Sequence, residues 1–419
     1  MSGKGSGLGL TTKILIGMAL GITIGCIINL TGLNGWIKTY FIEGMMEIGG
    51  RVFLSSLKLL VVPMVFVSLV SGAGALEDIK KLGRMGSRTF LLYALTTALA
   101  IGIALFFAEL VDPGKGFVMS APSYFESAES PSLVDMISNI FPSNPIQSMA
   151  QGEMLQIIVF ALLFGIGMTM SGAAGKRVLS TFNDLNEIIM NIVMLLIELA
   201  PYGVFCLLTK VFAEQGFSAI APMAKYFFTV LAILIFHCFI VYGSLLKLFT
   251  GLNPIKFFRK FGEVMVFAFS TASSNATIPV SIEVTEKKLG VHNSVAAFTI
   301  PFGATINMDG TAIMQGVATV FVAQAYGIDI GLSGYMMVIL TATLASIGTA
   351  GVPGVGLVML AMVFKQVGLP VEGIGMILGV DRLLDMVRTA INVTGDAVVT
   401  CIIANSEKQI DTQIFNEEI

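Results

Sequence analysis

From Ile330 to Phe364 the chain carries no charged residue, and in the middle of that stretch it reads SIGTAGVPGVG. This feature limits the fold more than any other. The stretch is apolar enough for a bilayer core, which takes roughly 20 residues of helix to cross. No helix, however, continues unbroken through Gly348, Gly351, Pro353, Gly354 and Gly356. Each apolar arm beside the break is too short to span alone, so the chain must turn back inside the membrane. Non-helical backbone at that depth is tolerated only where it is buried in protein or lines an aqueous cavity. Val264 to Ile282 repeats the pattern, uncharged with the hydroxyl-rich STASSNAT in its middle. Two re-entrant hairpins whose tips meet inside the membrane are therefore expected.

A third interruption lies between them, where GATINMDGT (Gly303 to Thr311) breaks the apolar segment His292 to Ala325 and places Asp309 at its centre. Hairpin followed by broken helix thus occurs over 254–325 and again over 330–408. Paired broken segments in corresponding halves are the best sequence pointer to a transporter's midplane site, and an inverted repeat puts one hairpin on each side of the membrane.

Composition agrees with this class. Of 419 residues, 55% are hydrophobic and 12% charged, against about 25% charged in soluble proteins. Further uncharged runs occupy Ile14 to Ile37, Thr89 to Ala108, Met154 to Gly175, Tyr226 to Leu246 and Leu289 to Met308, so a polytopic helical bundle is expected. A formal net charge of −3 with no dense basic run argues against nucleic-acid binding. Cys26, Cys206, Cys238 and Cys401 lack metal-type spacing and read as packing residues. No cleavage site follows the first apolar run, so no removed signal peptide is expected. Lys80, Lys81, Arg84, Arg88, Lys176, Arg177, Lys256, Arg259 and Lys260 mark cytoplasmic ends, which puts Met1 inside.

Spans are expected near 12–33, 36–75, 82–111, 133–172, 177–213 and 218–249. The second carries Glu43, Glu47, Arg51 and Lys58 in its first half, a half expected near an interface or against a partner. The fourth should break at PSNP, Pro142 to Pro145. Glu198, close before Pro201, is an acid inside the fifth.

The last span carries the chemistry. In DRLLDMVRTAINVTGD, at about 100° per residue, Asp381, Arg382, Asp385, Arg388, Thr389, Asn392 and Asp396 share one helix face. Charges inside a membrane helix usually face a wet cavity on a substrate or ion pathway. Arg388 suits a carboxylate and Asp385, one turn away, an ammonium group. Together they fit an acidic zwitterion, aspartate or glutamate, although an internal pairing of Asp385 with Arg388 or Arg382 is the structural alternative. Ser273 and Ser274 at the first tip add hydroxyls, and the half-helix starts there add backbone amides. Asp309 and Asp396 lie near unwound backbone, with Asn307, Asn392 and the carbonyls of Gly303, Thr305, Ser346 and Thr349 nearby. That is the neutral-oxygen-plus-carboxylate set of a monovalent cation, with too few carboxylates for a calcium cage. His237 and His292 show no ligand spacing or paired acid and read as satisfied residues.

Four motifs in order, SSNATIP (Ser273 to Pro279), NMDGT (Asn307 to Thr311), SIGTAGVPG (Ser346 to Gly354) and DMVRTAINVTGD (Asp385 to Asp396), closely resemble the glutamate transporter family, the dicarboxylate/amino acid:cation symporters. The resemblance covers essentially the whole chain. It implies an all-α polytopic membrane protein with eight transmembrane helices, two re-entrant hairpins and inverted repeats, assembled in the bilayer as an elevator-type homotrimer. Residues 1–80 and 132–214 would form the scaffold. Residues 81–131 and 215–252, hairpins 253–290 and 329–370, helix 291–328, and helix and tail 371–419 would form the moving unit, with the second hairpin as outer gate.

The resemblance also implies Na+ as coupling ion, no organic cofactor and no enzymatic activity. By the same resemblance Arg388 would bind the side-chain carboxylate of the substrate and Asp385 its amino group. Asn392, Thr311, Thr389, Ser273 and Ser274 would add contacts, and Val352 and Gly356 would close the second tip. One Na+ site would use Gly303, Asn307, Asn392 and Asp396, a second Thr305, Ser346, Ile347 and Thr349, and a third Tyr93, Thr96, Thr97, Asn307 and Asp309. Two departures stand out: Ala272 occupies the first tip where archaeal relatives carry arginine, with Arg382 as the proposed replacement, and Thr97 stands where serine is common. The alternatives are a proton-coupled glutamate or C4-dicarboxylate symporter and, from another class, an intramembrane aspartyl protease built on Asp309 and Asp396. The protease reading leaves Arg388 and the hairpins unexplained.

Overall fold

The computed structural model describes residues 10–32, 35–74, 79–117, 141–346 and 354–417. Within them the regular structure is helical, apart from one isolated antiparallel bridge between Val291 and Ile410. The elements are α1 (Leu10–Thr31), a π-helical segment Ile37–Met46 running into α2 (Glu47–Gly74), α3 (Ile79–Val111), α4 (Pro145–Gln151), α5 (Met154–Met170), α6 (Gly172–Ile197) and α7 (Ala200–Gln215). After a short 3-10 turn follow α8 (Ile220–Phe236), a π-helical segment His237–Tyr242, α9 (Gly243–Thr250), α10 (Pro254–Thr271), α11 (Ser274–Lys287), α12 (Asn293–Ile306) and α13 (Asp309–Tyr326). The chain continues with α14 (Gly331–Ser346), α15 (Val355–Gln366), α16 (Ile374–Ser406) and α17 (Thr412–Asn416). Among the described residues four helical stretches, Thr12–Thr31, Met85–Val111, Ile220–Thr250 and Val371–Ser406, are long and apolar enough to cross a membrane, five if the bent pair Gly172–Ile197 and Ala200–Ser218 counts as one span. The protein is a multi-pass membrane protein.

Local chemistry sets many of the breaks. Asn144 accepts from the amides of Ile146 and Gln147 and is followed by Pro145, so PSNP starts α4. Residues 133–140 of that expected span lie outside the described residues, and past α4 it has an interruption foreseen by nothing in its apolar pattern, where Gly152 closes α4 in a left-handed conformation (φ 69°). The fifth span, expected as one helix, is instead two, with α6 and Ala200–Ser218 bent by 47°. Pro201 has no amide to donate to the carbonyl of Ile197, and its ring crowds that carbonyl, so α6 stops there.

The first hairpin turns at Ala272, whose φ of 48° is left-handed without glycine, and at Ser273, whose hydroxyl caps α11 by accepting from Ala276. Its two arms pack on each other and on α16. In the charged half of the second span, Glu47 pairs with Lys210 of α7 and with Arg51 at 2.5 Å. Glycines at 17, 21 and 25 let α1 lie directly on the backbone of α7: a β-carbon at Gly21 would sit 2.8 Å from the Phe205 carbonyl oxygen, and one at Gly25 2.6 Å from the Phe212 β-carbon.

The core lies around α13 and α16. Every residue of α13 except Gln324 and Tyr326 is buried, as is most of α16. A helix buried on every face serves as the centre of a bundle, not its surface. Around α16 pack α7, α8, α9, α10, α11, α12 and α13, and the interrupted segment at Asn307–Asp309 meets its polar face at Asn392 and Asp396.

Candidate substrate and cation site

The polar stripe of α16 is buried: Arg388 is 1% exposed, Asp381 4% and Asp385 9%. Its charges pair along the helix, while Arg388 Nε is buried without a partner among the described residues. Arg388 donates from Nη1 to Asp381 Oδ1 at 2.7 Å and from Nη2 to Asp385 Oδ1 at 2.8 Å, and Arg382 donates from Nη1 to Asp385 Oδ2 at 3.2 Å. The internal ion pairs foreseen as the structural alternative are therefore present. Asp381, on the stripe but outside the expected ligand set, is the shortest partner Arg388 has. The i, i+7 spacing of Asp381 and Arg388, two helical turns, was the available signal. A substrate carboxylate at Arg388 must compete with Asp381 or Asp385.

The start of α15 packs against this cluster, while the turn expected for the second hairpin, 347–353, lies outside the described residues. A β-carbon on Gly356 would lie 3.4 Å from Arg388 Nη2 and 3.3 Å from Thr311 Cγ2, so Gly356, Thr311 and Arg388 meet at one point. Thr389 spends its hydroxyl on the Asp385 carbonyl, one turn back. Ser274 is buried at the start of α11. A cavity of about 40 Å³, room for a few water molecules, lies against the stripe and is also lined by Gly354 and Leu357 at the start of α15. It is lined by Asp381, Arg382 and Asp385 of α16 and by Phe53, Ile197 and Val204 among others.

The second cluster lies where α12 ends and α13 begins. Asn392 accepts from the Gly310 amide at 2.7 Å through Oδ1 and contacts Met308 Sδ through Nδ2. Asn307 donates to the Asn392 carbonyl (3.1 Å) and to Asp396 Oδ1 (2.9 Å), while its own Oδ1 is buried and has no partner among the described residues. A β-carbon on Gly303 would lie 2.5 Å from both Asp396 Oδ1 and the Tyr93 hydroxyl, so Gly303, Asp396 and Tyr93 converge. Only glycine allows that approach.

Asp309, at the first position of α13, accepts from Thr97 Oγ1 (2.6 Å) and from the Tyr242 hydroxyl (2.8 Å), and meets His237 Nε2 at 3.3 Å. Asp309 and Asp396 are thus fully buried carboxylates, and among the described residues neither has a lysine or arginine within ion-pair distance.

Of the expected cation ligands, Gly303, Asn307, Asn392 and Asp396 come together, and Thr97 joins Asp309. Tyr93 hydrogen-bonds the Thr299 carbonyl and reaches Gly303. Thr96 bonds the Tyr93 carbonyl, Thr305 the Pro301 carbonyl and Ser346 the Thr343 carbonyl, each on its own helix. Ile347, Thr349 and Val352 lie outside the described residues. His237 corrects the expectation that neither histidine has a paired acid: it faces Asp309 from the π-helical segment that also presents Tyr242. Both residues lay too far from Asp309 in sequence for spacing to link them.

Comparison with known proteins adds a family match and three relatives. The sodium:dicarboxylate symporter family model matches residues 10–406. The chain is 35% identical over 420 residues to a proton/sodium-glutamate symport protein of Geobacillus stearothermophilus, covering 98% of this chain and 96% of that protein. It is also 35% identical to the proton/glutamate-aspartate symporter of Escherichia coli K12 (96% and 94% covered) and 28% identical to a C4-dicarboxylate transport protein of Bacillus subtilis (96% and 94% covered).

Proposed function

The chain belongs to the sodium:dicarboxylate symporter family, and from that premise we propose that it takes up L-aspartate and L-glutamate with Na+ as the coupling ion. One observation carries the coupling: Asp309 and Asp396 are buried without a lysine or arginine partner among the described residues. An ionised carboxylate in such a place costs several kcal/mol unless a counter-charge joins it. The neutral oxygens beside the two acids, Asn307 Oδ1 and the Thr97 hydroxyl, suit a hard monovalent cation, and the unpartnered Asn307 Oδ1 has a lone pair to offer.

For the substrate, Arg388 takes the side-chain carboxylate and Asp385 the ammonium group, each exchanging part of its partnership with the other for the zwitterion. Ser273, Ser274, Thr311, Thr389, Asn392, Val352 and Gly356 complete the substrate contacts. Tyr93, Thr96, Thr97, Gly303, Thr305, Asn307, Asp309, Ser346, Ile347, Thr349, Asn392 and Asp396 hold the cations. The protein works as a homotrimer in which the unit around α16 travels across the membrane relative to a scaffold containing α1, α2 and α7, with the N-terminus cytoplasmic. The short apolar arms of the two helix pairs support their re-entrant placement.

The second reading, proton-coupled transport of glutamate or of a C4-dicarboxylate, draws on the names of the relatives. Asp385 weighs against a substrate without an amine, because such a substrate leaves that carboxylate no new cation. The deciding experiment is uptake of labelled aspartate and glutamate into proteoliposomes under imposed Na+ or pH gradients. The proposal expects uptake driven by Na+ and little competed by succinate. Undiminished uptake at zero Na+ under a pH gradient, or full competition by succinate, defeats it.

The proposed replacement of the first-tip arginine by Arg382 makes a separate prediction, since Arg382 reaches Asp385. In a double-mutant cycle for aspartate binding, Arg382→Ala and Asp385→Asn are expected to couple by about 0.5–3 kcal/mol. Strict additivity counts against the replacement.

A further inference from the structure

The segment that follows α16 folds back on the base of the first hairpin. The amide of Asp411 donates to the Gly290 carbonyl at 2.7 Å and that of His292 to the Gln409 carbonyl at 2.9 Å, so the chain around Ile410 pairs antiparallel with the link between α11 and α12. Gly290, at φ 73°, lets the two backbones meet, since a β-carbon there would lie 2.3 Å from the Asp411 carbonyl oxygen. Beyond this bridge α17 reaches the other arm. Lys260 of α10, only 6% exposed, donates from Nζ to the Ile414 carbonyl at 2.7 Å and to the Lys288 carbonyl at 3.0 Å. The same ammonium stands 5.9 Å from the centre of the fully buried Phe415 ring. Lys256, one turn earlier, donates to the Asn416 carbonyl at 3.0 Å. One short segment thus holds the start of α10, the end of α11 and the start of α12.

We propose that residues 407–417 are a clasp on the first hairpin: docked, they keep its two arms together and its tip on the substrate, and their release lets the arms part and the substrate escape. The inference rests on the substrate contacts assigned above to Ser273 and Ser274 and goes beyond them, because it concerns what holds that tip in place. The tip turns through Ala272 in a left-handed conformation without glycine (φ 48°), so it stores strain that the arms must contain. Lys260 is the pin of the clasp. A buried ammonium needs acceptors for its three donors, and two of them lie on opposite sides of the hairpin base, at Lys288 and at Ile414. With the segment gone, that cation loses one carbonyl and the face of Phe415, and water reaches it most cheaply if α10 moves away from α11. The second hairpin takes its outside support elsewhere, α14 from α3 and α15 from α2. The clasp therefore acts on one hairpin and leaves the other free to gate. Lys256, Arg259 and Lys260 mark its side as cytoplasmic, so the escape runs inward.

Amide hydrogen exchange of the whole chain in Na+ and aspartate tests the clasp, compared with a chain ended after Glu407 and with Phe415→Ala. Both variants are expected to exchange at least about tenfold faster over residues 254–290, with α13 and α14 as in the wild type. Both are expected to release bound radiolabelled aspartate about tenfold faster. A peptide of residues 406–419, added in excess to the shortened chain, is expected to restore both rates. Lys260→Gln, which keeps the segment and removes only the pin, is expected to change both rates in the same direction. Unchanged exchange over 254–290 overturns the proposal, and so does a rise that spreads equally to α13 and α14, which assigns the segment to overall stability. Faster exchange of the hairpin with unchanged release of aspartate overturns the link to substrate, as does a peptide that restores neither rate. A wild-type protein that binds neither aspartate nor glutamate instead sinks the substrate assignment, while the exchange comparison without ligand still decides whether the segment holds the hairpin.

Discussion

Arg388→Ala is expected to weaken binding of L-aspartate and L-glutamate by at least about 30-fold, read by equilibrium binding to purified protein. Losing one member of a buried, hydrogen-bonded charge pair costs about 2–5 kcal/mol, and each 1.4 kcal/mol is tenfold in affinity. The same change strands Asp381 and leaves Asp385 to Arg382 alone, so the folded protein should lose about 3–5 kcal/mol of stability. The two effects can be pulled apart. Adding Asp381→Asn removes the stranded charge and should recover part of the thermal stability, while binding stays lost because the substrate's carboxylate still has no guanidinium to meet. Recovery of binding along with stability places the role of Arg388 in packing alone.

Asp309→Asn is expected to have the second large effect, raising the Na+ concentration that half-saturates aspartate binding by about tenfold or more. The side chain keeps its shape but no longer carries the charge that a buried cation neutralises. It also brings an amide group to where Thr97 and Tyr242 both donate, so one of those hydroxyls loses its acceptor, at about 1–3 kcal/mol of stability. The Na+ titration separates the outcomes: a structural role alone lowers stability and leaves the Na+ midpoint where it was. Asp396→Asn should behave alike through Asn307 and the tight approach at Gly303.

Much of this architecture was legible in the sequence. The interruptions at STASSNAT and GATINMDGT correspond to a turn at Ala272–Ser273 and to the gap between Ile306 and Asp309, because glycine, proline and capping side chains act locally. The polar face of α16 was legible for the same reason, since one helical period fixes it. The bend between α6 and α7 was less so: Pro201 was visible, but a kink and a helix end give the same signal. The partner choices were beyond reach. That Arg388 takes Asp381 as well as Asp385, or that Asp309 meets Tyr242 and His237, depends on side-chain rotamers and on which helices pack together, and no periodicity within one segment encodes either. Asn307 shows the same limit, since it was assigned to two cation sets and its amide joins Asp396 and Asn392, not Asp309.

The central claim is that an acidic zwitterion and an alkali cation share one buried site around α16. Equilibrium binding of radiolabelled L-aspartate and L-glutamate to purified protein, titrated with Na+ at constant ionic strength and pH, tests it most directly. The account predicts steep Na+-dependent binding that choline does not support and that excess succinate barely displaces. Binding that is flat across the Na+ titration, or is lost to succinate as readily as to unlabelled aspartate, contradicts it.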